Sequence, residues 1–367
     1  MVKRISKGKK RTKTEKVPAY KNPALAVSKR VKDLLSRMTI EEKTAQLMGL
    51  WRGGLDEFDA EFMKDDMKVK ETFGKGANSI HPTFFGVKET VEIRNRIQKY
   101  FVEKTRLGIP VLFVDEGQHG MMRPESTVFP QAIGLACSWD PELFEKVYSV
   151  IAREIRTRGA HHVLSPVIDV CRDPRWGRVE ETYGEDPYLN GTLSCAAVKG
   201  LQGSASGRIA RGHVAATLKH LVGHGQPDGG QNTAPASYAV RTLRDYHMPP
   251  FRMCISKVKP ASIMPSYNEV DGVPSHANKW LLQDVLRKEW KFRGMIVSDY
   301  YAVEQLTIKH FVANDLKDAA RIAFNTGVQY EFPQANCYRF LPELLKKGKI
   351  KITDFNKAVA QVLELKF

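Results

Sequence analysis

Seven short, largely apolar runs punctuate this chain: Ala77–Ile80, Val111–Val114, Val163–Val170, Ala215–Leu218, Ala261–Met264, Met295–Val297 and Val328–Phe332. Met295–Val297 shows no alternation of apolar and polar residues, as expected of a strand buried on both faces. Between the runs lie amphipathic stretches of helical length: Val87–Lys104, Pro141–Arg158, Leu189–Leu201, Thr242–Lys257, Lys279–Trp290 and Asp315–Asn325. Strand alternating with helix is the signature of a parallel sheet. With about seven or eight such units, a single-domain α/β fold of the TIM-type (β/α)8 barrel is favoured over an open sheet. No Gly-x-Gly-x-x-Gly or phosphate-loop pattern follows any of these runs, which weighs against nucleotide binding.

The ends of the chain read differently from its middle. Residues 1–21 carry nine Lys or Arg against one acid, half of the whole chain's excess of +16. Without apolar periodicity, residues 1–33 are expected to form a basic, flexible arm. No aromatic interleaving accompanies that charge, so no nucleic-acid partner is expected. Folded structure is expected from about Pro18, with helices over Ser28–Ser36 and Thr39–Met48, the second opening on a capping pattern at Thr39-Ile40-Glu41-Glu42. The barrel is assigned to residues 34–345. Residues 346–367 are read as a C-terminal helix leading toward a second domain absent from this chain. Lys3-Arg4 is not followed by an apolar h-region, so no signal peptide is read and the compartment stays open. No run approaches the 18 or so apolar residues of a membrane span. The five cysteines form no Cys-x-x-Cys pair and indicate no zinc site or disulfide framework. Neither a metal nor an organic cofactor is expected.

Chemistry gathers where the runs end. Val111–Val114 leads into Asp115-Glu116-Gly117-Gln118-His119-Gly120, and Val163–Val170 into Cys171-Arg172-Asp173-Pro174-Arg175-Trp176-Gly177-Arg178. Ala215–Leu218 ends in Lys219-His220, Ala261–Met264 in Pro265-Ser266-Tyr267-Asn268-Glu269, and Met295–Val297 in Ser298-Asp299-Tyr300. In a barrel these ends share one face. Each residue also has a structural reading. Asp299 or Glu116 could cap a helix, Arg178 could pair with Glu180 or Glu185, and Lys219 could sit in a buried ion pair. His220 could be a core histidine and Tyr267 plain packing. A stability network has no reason to collect at one end of a barrel, so a site is favoured. Carboxylates, Arg, Lys and His suit a polyhydroxylated ligand through charge-assisted hydrogen bonds, and Trp176 and Tyr300 offer faces for a sugar ring. Lys219 and Arg178 are expected to keep Asp299 ionised.

The motifs Glu116-Gly117-Gln118-His119-Gly120, Arg172 through Arg178, Glu181-Thr182-Tyr183-Gly184-Glu185-Asp186-Pro187, Lys219-His220, Ser266-Tyr267-Asn268 and Val297-Ser298-Asp299-Tyr300 resemble those of family 3 glycoside hydrolases. The resemblance runs in consistent order from about Leu34 to Phe367. It implies hydrolysis of terminal nonreducing β-glucosides or β-xylosides, with Asp299 as the nucleophile of a retaining mechanism. Glu116, Arg178, Lys219, His220, Tyr267 and Tyr300 would bind the sugar. Retention needs a second carboxyl group about 5–5.5 Å away. In two-domain members that group comes from an α/β sandwich domain after the barrel, which this chain is expected to lack. One-domain members, N-acetylhexosaminidase-like, use an Asp-x-His or Asp-Ser-His loop after the Lys-His strand. Here that loop, 225–233, has Asp228 without a following His. Asp228 and Glu269 are the remaining candidates in this chain, and a sugar-binding fragment without the acid is the alternative reading.

Overall fold

A computed structural model describes residues 17–51, 61–80 and 86–367. A parallel sheet of seven short strands curls through them: β1 (Gly49–Leu50), β2 (Ser79–Ile80), β3 (Leu112–Asp115), β4 (His162–Val163), β5 (Ala215–Leu221), β6 (Ser262–Pro265) and β7 (Met295–Ile296), each pairing with the next in chain order. The segment after β7 touches both edges. Val297 forms a parallel bridge with Tyr330, and Met48 forms one with Glu331. The expected eight-stranded barrel is thus met in part, as a curled seven-stranded sheet whose edges share one bridging segment. Val328–Phe332 contributes these bridges and no ladder of its own.

Several expected elements are shorter or displaced. The helix at Thr39 opens on the expected capping box, with Thr39 Oγ1 accepting from the Glu42 amide and Glu42 accepting from the Thr39 amide. It ends at Ala45 because Met48–Leu50 enters the sheet instead. Of the long third run, Val163–Val170, only Val163 is strand, in β4; beyond it, Val167 keeps a single bridge to Lys219. Asp140-Pro141 and Asp186-Pro187 start two long packed helices, Pro141–Thr157 and Pro187–Gln202. In each, the aspartate caps first-turn amides and proline occupies the first helical position.

The sheet interior is not wholly apolar. His162 Nε2 lies 2.7 Å from Thr217 Oγ1 and 2.8 Å from Ser262 Oγ, and Ser79 hydrogen-bonds the Tyr330 hydroxyl. Burial drives the His162 imidazole down to about 4, so this layer is neutral.

Residues 1–16 of the expected arm lie outside the described residues. The part that is described is packed: Tyr20 is buried with its hydroxyl donating to the Leu107 carbonyl at 2.8 Å, and the helix Val27–Arg37 runs across the expected boundary at residue 33. The C-terminal helix Ile352–Lys366 is likewise part of this domain, burying Phe355, Val359, Val362 and Leu363 completely. No helix among the described residues is long and apolar enough to cross a membrane.

Candidate active site

The strand ends converge as the sequence predicts. Asp299 follows β7 and is fixed from several sides. Its amide donates to His276 Nε2 at 3.1 Å, and its Oδ1 accepts from the Tyr300 amide at 2.7 Å. The preceding Ser298 amide donates to the Tyr330 carbonyl, and its hydroxyl accepts from the Phe332 amide at 2.9 Å. The following helix, Ala302–Ile308, has Tyr301 rather than Asp299 at its N-cap. The carboxylate is therefore not spent on a helix cap. Its Oδ2 accepts no hydrogen bond among the described residues. Burial pushes this carboxyl up to about 6, while Lys219, Arg178, the Tyr300 amide and the nearby Tyr267 phenol pull the other way. The cations thus limit a rise caused by burial and do not hold Asp299 low.

β5 supplies two more groups through the consecutive residues Lys219 and His220, joined by a cis peptide bond. His220 Nδ1 lies 2.8 Å from Asp169 Oδ2, and its Nε2 lies 3.2 Å from Arg178 Nη2 and 3.8 Å from Asp299 Oδ2. Arginine can only donate. Nε2 is therefore the acceptor and Nδ1 carries the proton toward Asp169. Burial and the neighbouring Arg178 hold His220 well below its usual range, so it acts as a neutral hydrogen-bonding group. Burial raises Asp169 to about 8. Arg178 is clamped bidentately by Glu181, at 2.9 and 2.7 Å, and reaches His224 Nε2 at 3.1 Å. Its partner is Glu181, not Glu180 or Glu185.

Glu116, after β3, accepts from Lys219 Nζ at 2.9 Å and from the Tyr300 hydroxyl at 3.2 Å. This is the ion pair allowed for Lys219, yet it is open on one side: the Glu116 side chain is 28% exposed against 4% for Lys219. Arg178 is 19% exposed. The accessible wall of the cluster is thus the one carrying a carboxylate and a guanidinium, which together accept from and donate to hydroxyl groups. Neighbouring Asp115 is different. It is buried against Arg94 at 2.7 Å and Arg123 at 3.6 Å, as a structural ion pair.

Asp299, Glu116, Arg178, Lys219, His220, Tyr267 and Tyr300 are therefore gathered as expected. Tyr267 packs 6.3 Å from His224 between ring centroids, and Tyr300 lies edge-on to Phe332 at 4.8 Å. Trp176 is core: it is buried, edge-on to His224, and its Nε1 donates to Asn232 at 3.0 Å. The two candidate acids are engaged elsewhere. Asp228 accepts from Ser237 at 2.8 Å, and Glu269 pairs with His310 at 2.8 Å. Asp169 and His276 went unread as site residues, and Glu181 and His224, which stand in the sequence patterns after the strands, carried no assigned role. An aspartate inside the apolar run Val163–Val170 was a readable signal for the first. No group of three or more His, Cys, Asp or Glu among the described residues is arranged to hold a metal ion.

Comparison with known proteins agrees with this geometry. The family model described as Glycosyl hydrolase family 3 N terminal domain matches residues 39–365. A putative beta-xylosidase of Formosa agariphila is 35% identical over 95% of this chain and 46% of its own length. The periplasmic beta-glucosidase of Salmonella typhimurium is 34% identical over 92% of this chain and 41% of its own. Among solved structures, a b-glucosidase from Erythrobacter marinus superposes with a TM-score of 0.88 at 33% identity, covering 95% of this chain and 46% of that one. The beta-glucosidase of Listeria innocua in complex with glucose gives 0.82 at 33% identity, covering 93% and 47%. The chain spans about half the length of the relatives it matches. Family match and converging site together establish that this chain belongs to glycosyl hydrolase family 3, as its N-terminal domain.

Proposed function

We propose that this chain carries the nucleophile and glycone subsite of an enzyme hydrolysing terminal nonreducing β-D-glucosides or β-D-xylosides with retention. The observation that carries this reading is Asp299 Oδ2: a buried carboxylate oxygen without a hydrogen bond, beside neutral His220 and the cations Lys219 and Arg178. In the first step this oxygen forms a bond to the anomeric carbon while the glycosidic C–O bond breaks. The bond electrons leave with the aglycone, which takes a proton. Water then displaces Asp299 from the same carbon. Glu116, Lys219, Arg178 and His220 hold the sugar hydroxyls, donors and acceptors being set by the proton positions above. The sugar ring shields the ion pairs and strengthens each of these bonds. The (β/α)8 reading of the fold belongs to the same proposal, with Val328–Phe332 as the eighth stave and the two bridges as support.

The acid that protonates the aglycone is proposed to come from outside this cluster, because Asp228 and Glu269 are both engaged elsewhere. A positioned general acid contributes a factor of ~10²–10⁴. An activated substrate bypasses it. With 2,4-dinitrophenyl β-glucoside or β-xyloside, the chain is expected to release a burst of phenol. A 2-fluoro glycosyl donor is expected to leave a sugar adduct on the Asp299 peptide. Asp299→Gly should lose both. Absence of burst and adduct in the unaltered chain would leave sugar binding alone.

A further inference from the structure

Two cysteines meet on helices, not at the strand ends that carry the sugar site. Cys195 lies on the helix Pro187–Gln202 and Cys254 on the helix Pro249–Lys257, 59 residues apart in sequence yet with sulfurs 3.6 Å from one another. Both are free thiols. Cys195 lines a cavity of about 540 Å³ together with Lys199, Lys257, Met253, Glu145 and Tyr188, whereas Cys254 is wholly buried behind it.

We propose that Cys195 and Cys254 form a two-thiol oxidation site that takes a small hydroperoxide through this cavity and closes a disulfide between the two helices. The two thiols are unequal in the way such chemistry requires. The hydrogen bond with Cys254, and then Lys257 and Lys199, draw the Cys195 thiol below its usual range. Burial holds Cys254 well above its own. Thiolate character and access decide which sulfur reacts first. Cys195 is therefore the attacking thiolate: its S–O bond forms as the peroxide O–O bond breaks, and the departing oxygen takes up the thiol proton as water. Cys254 then attacks the sulfenic sulfur. The S–S bond forms, the S–O bond breaks, and hydroxide leaves with the Cys254 proton as a second water. Two electrons pass from the dithiol to the peroxide. A disulfide needs the sulfurs at about 2.05 Å, roughly 1.5 Å closer than they lie here.

The test uses the full chain, reduced and then exposed to hydrogen peroxide without added thiol, alkylated and analysed by peptide mass spectrometry. A Cys195–Cys254 linked peptide lacking two hydrogens is expected, reversed by dithiothreitol, with Cys171 and Cys337 alkylated as free thiols. The oxidised chain should also melt several degrees higher, because the link closes a long loop. In Cys254→Ser the link is lost and dimedone should label Cys195. Recovery of Cys195 and Cys254 as free thiols at a dose that oxidises the exposed Cys137 would overturn the proposal. A link joining any other pair would do so as well. Both readouts come from the unaltered chain, so they stand even where the variant fails to fold.

Discussion

At the scale of single residues, Asp299 is enclosed, and enclosure raises its carboxyl to about 6 against the pull of Lys219 and Arg178. A nucleophile must be ionised. On an activated aryl glycoside, kcat/KM is therefore expected to rise with pH through about 6, the acid limb reporting the free protein. Lys219→Met removes a cation that favours the ionised form, so its acid limb should move to higher pH. The position of the limb, not the amplitude, is the readout, since Lys219 also faces Glu116. A limb that stays put or moves to lower pH would show that Lys219 does not act on Asp299. Asp115 and Glu116 illustrate how little adjacent identity says: one is a buried partner of two arginines, the other faces the opening. Their types and place at a strand end were legible in the sequence. Their division of labour depends on Arg94 and Arg123 approaching from other elements, which no local pattern records.

Elements are positioned by close contacts as much as by periodicity. The helices Pro141–Thr157 and Pro187–Gln202 cross at Gly200, where a Cβ would lie 2.5 Å from the Glu145 carbonyl oxygen and 2.8 Å from Tyr148 Cβ. Backbone cannot yield as a flexible side chain can. Gly200→Ala is therefore expected to destabilise the protein by about 1–3 kcal/mol through overpacking, despite alanine's better helix propensity of roughly 1 kcal/mol. Thermal unfolding measures this, and an unchanged or raised Tm would mean the helix pair separates freely. The crossing matters to the site because the Tyr148 hydroxyl supports the Gln118 carbonyl at 2.8 Å. Existence and type of these helices were readable from apolar spacing, although the second starts at Pro187, two residues before the expected Leu189. Of the two-residue strands only β1 went unread, because a parallel ladder that short leaves no periodicity behind; β2, β4 and β7 fall in or overlap the apolar runs Ala77–Ile80, Val163–Val170 and Met295–Val297.

At the scale of the whole molecule, the C-terminal helix closes the end of the sheet opposite the site. Besides its four fully buried apolar residues, Lys366 donates to Gln46, to the Ala77 carbonyl and to the Pro110 carbonyl, at 2.7, 2.9 and 2.9 Å. Burying each large apolar side chain stabilises by about 1.5–3 kcal/mol, and whole domains are stable by only ~5–15 kcal/mol. Deleting residues 352–367 is therefore expected to abolish cooperative unfolding, measured by circular dichroism and calorimetry; a truncated chain that melts cooperatively would refute this. The sequence by itself determined the alternation of strand and helix, the ordered family motifs and the residue types at the strand ends. Those are local properties, written in spacing and composition. Tertiary structure decided that Glu181 holds Arg178, that Asp169 orients His220, and that Asp299 keeps one oxygen unbonded inside a buried cluster. It also brought Cys195 beside Cys254. Each of these depends on groups far apart in the chain meeting within a few ångströms, and on the loss of water around them, which only the folded packing sets.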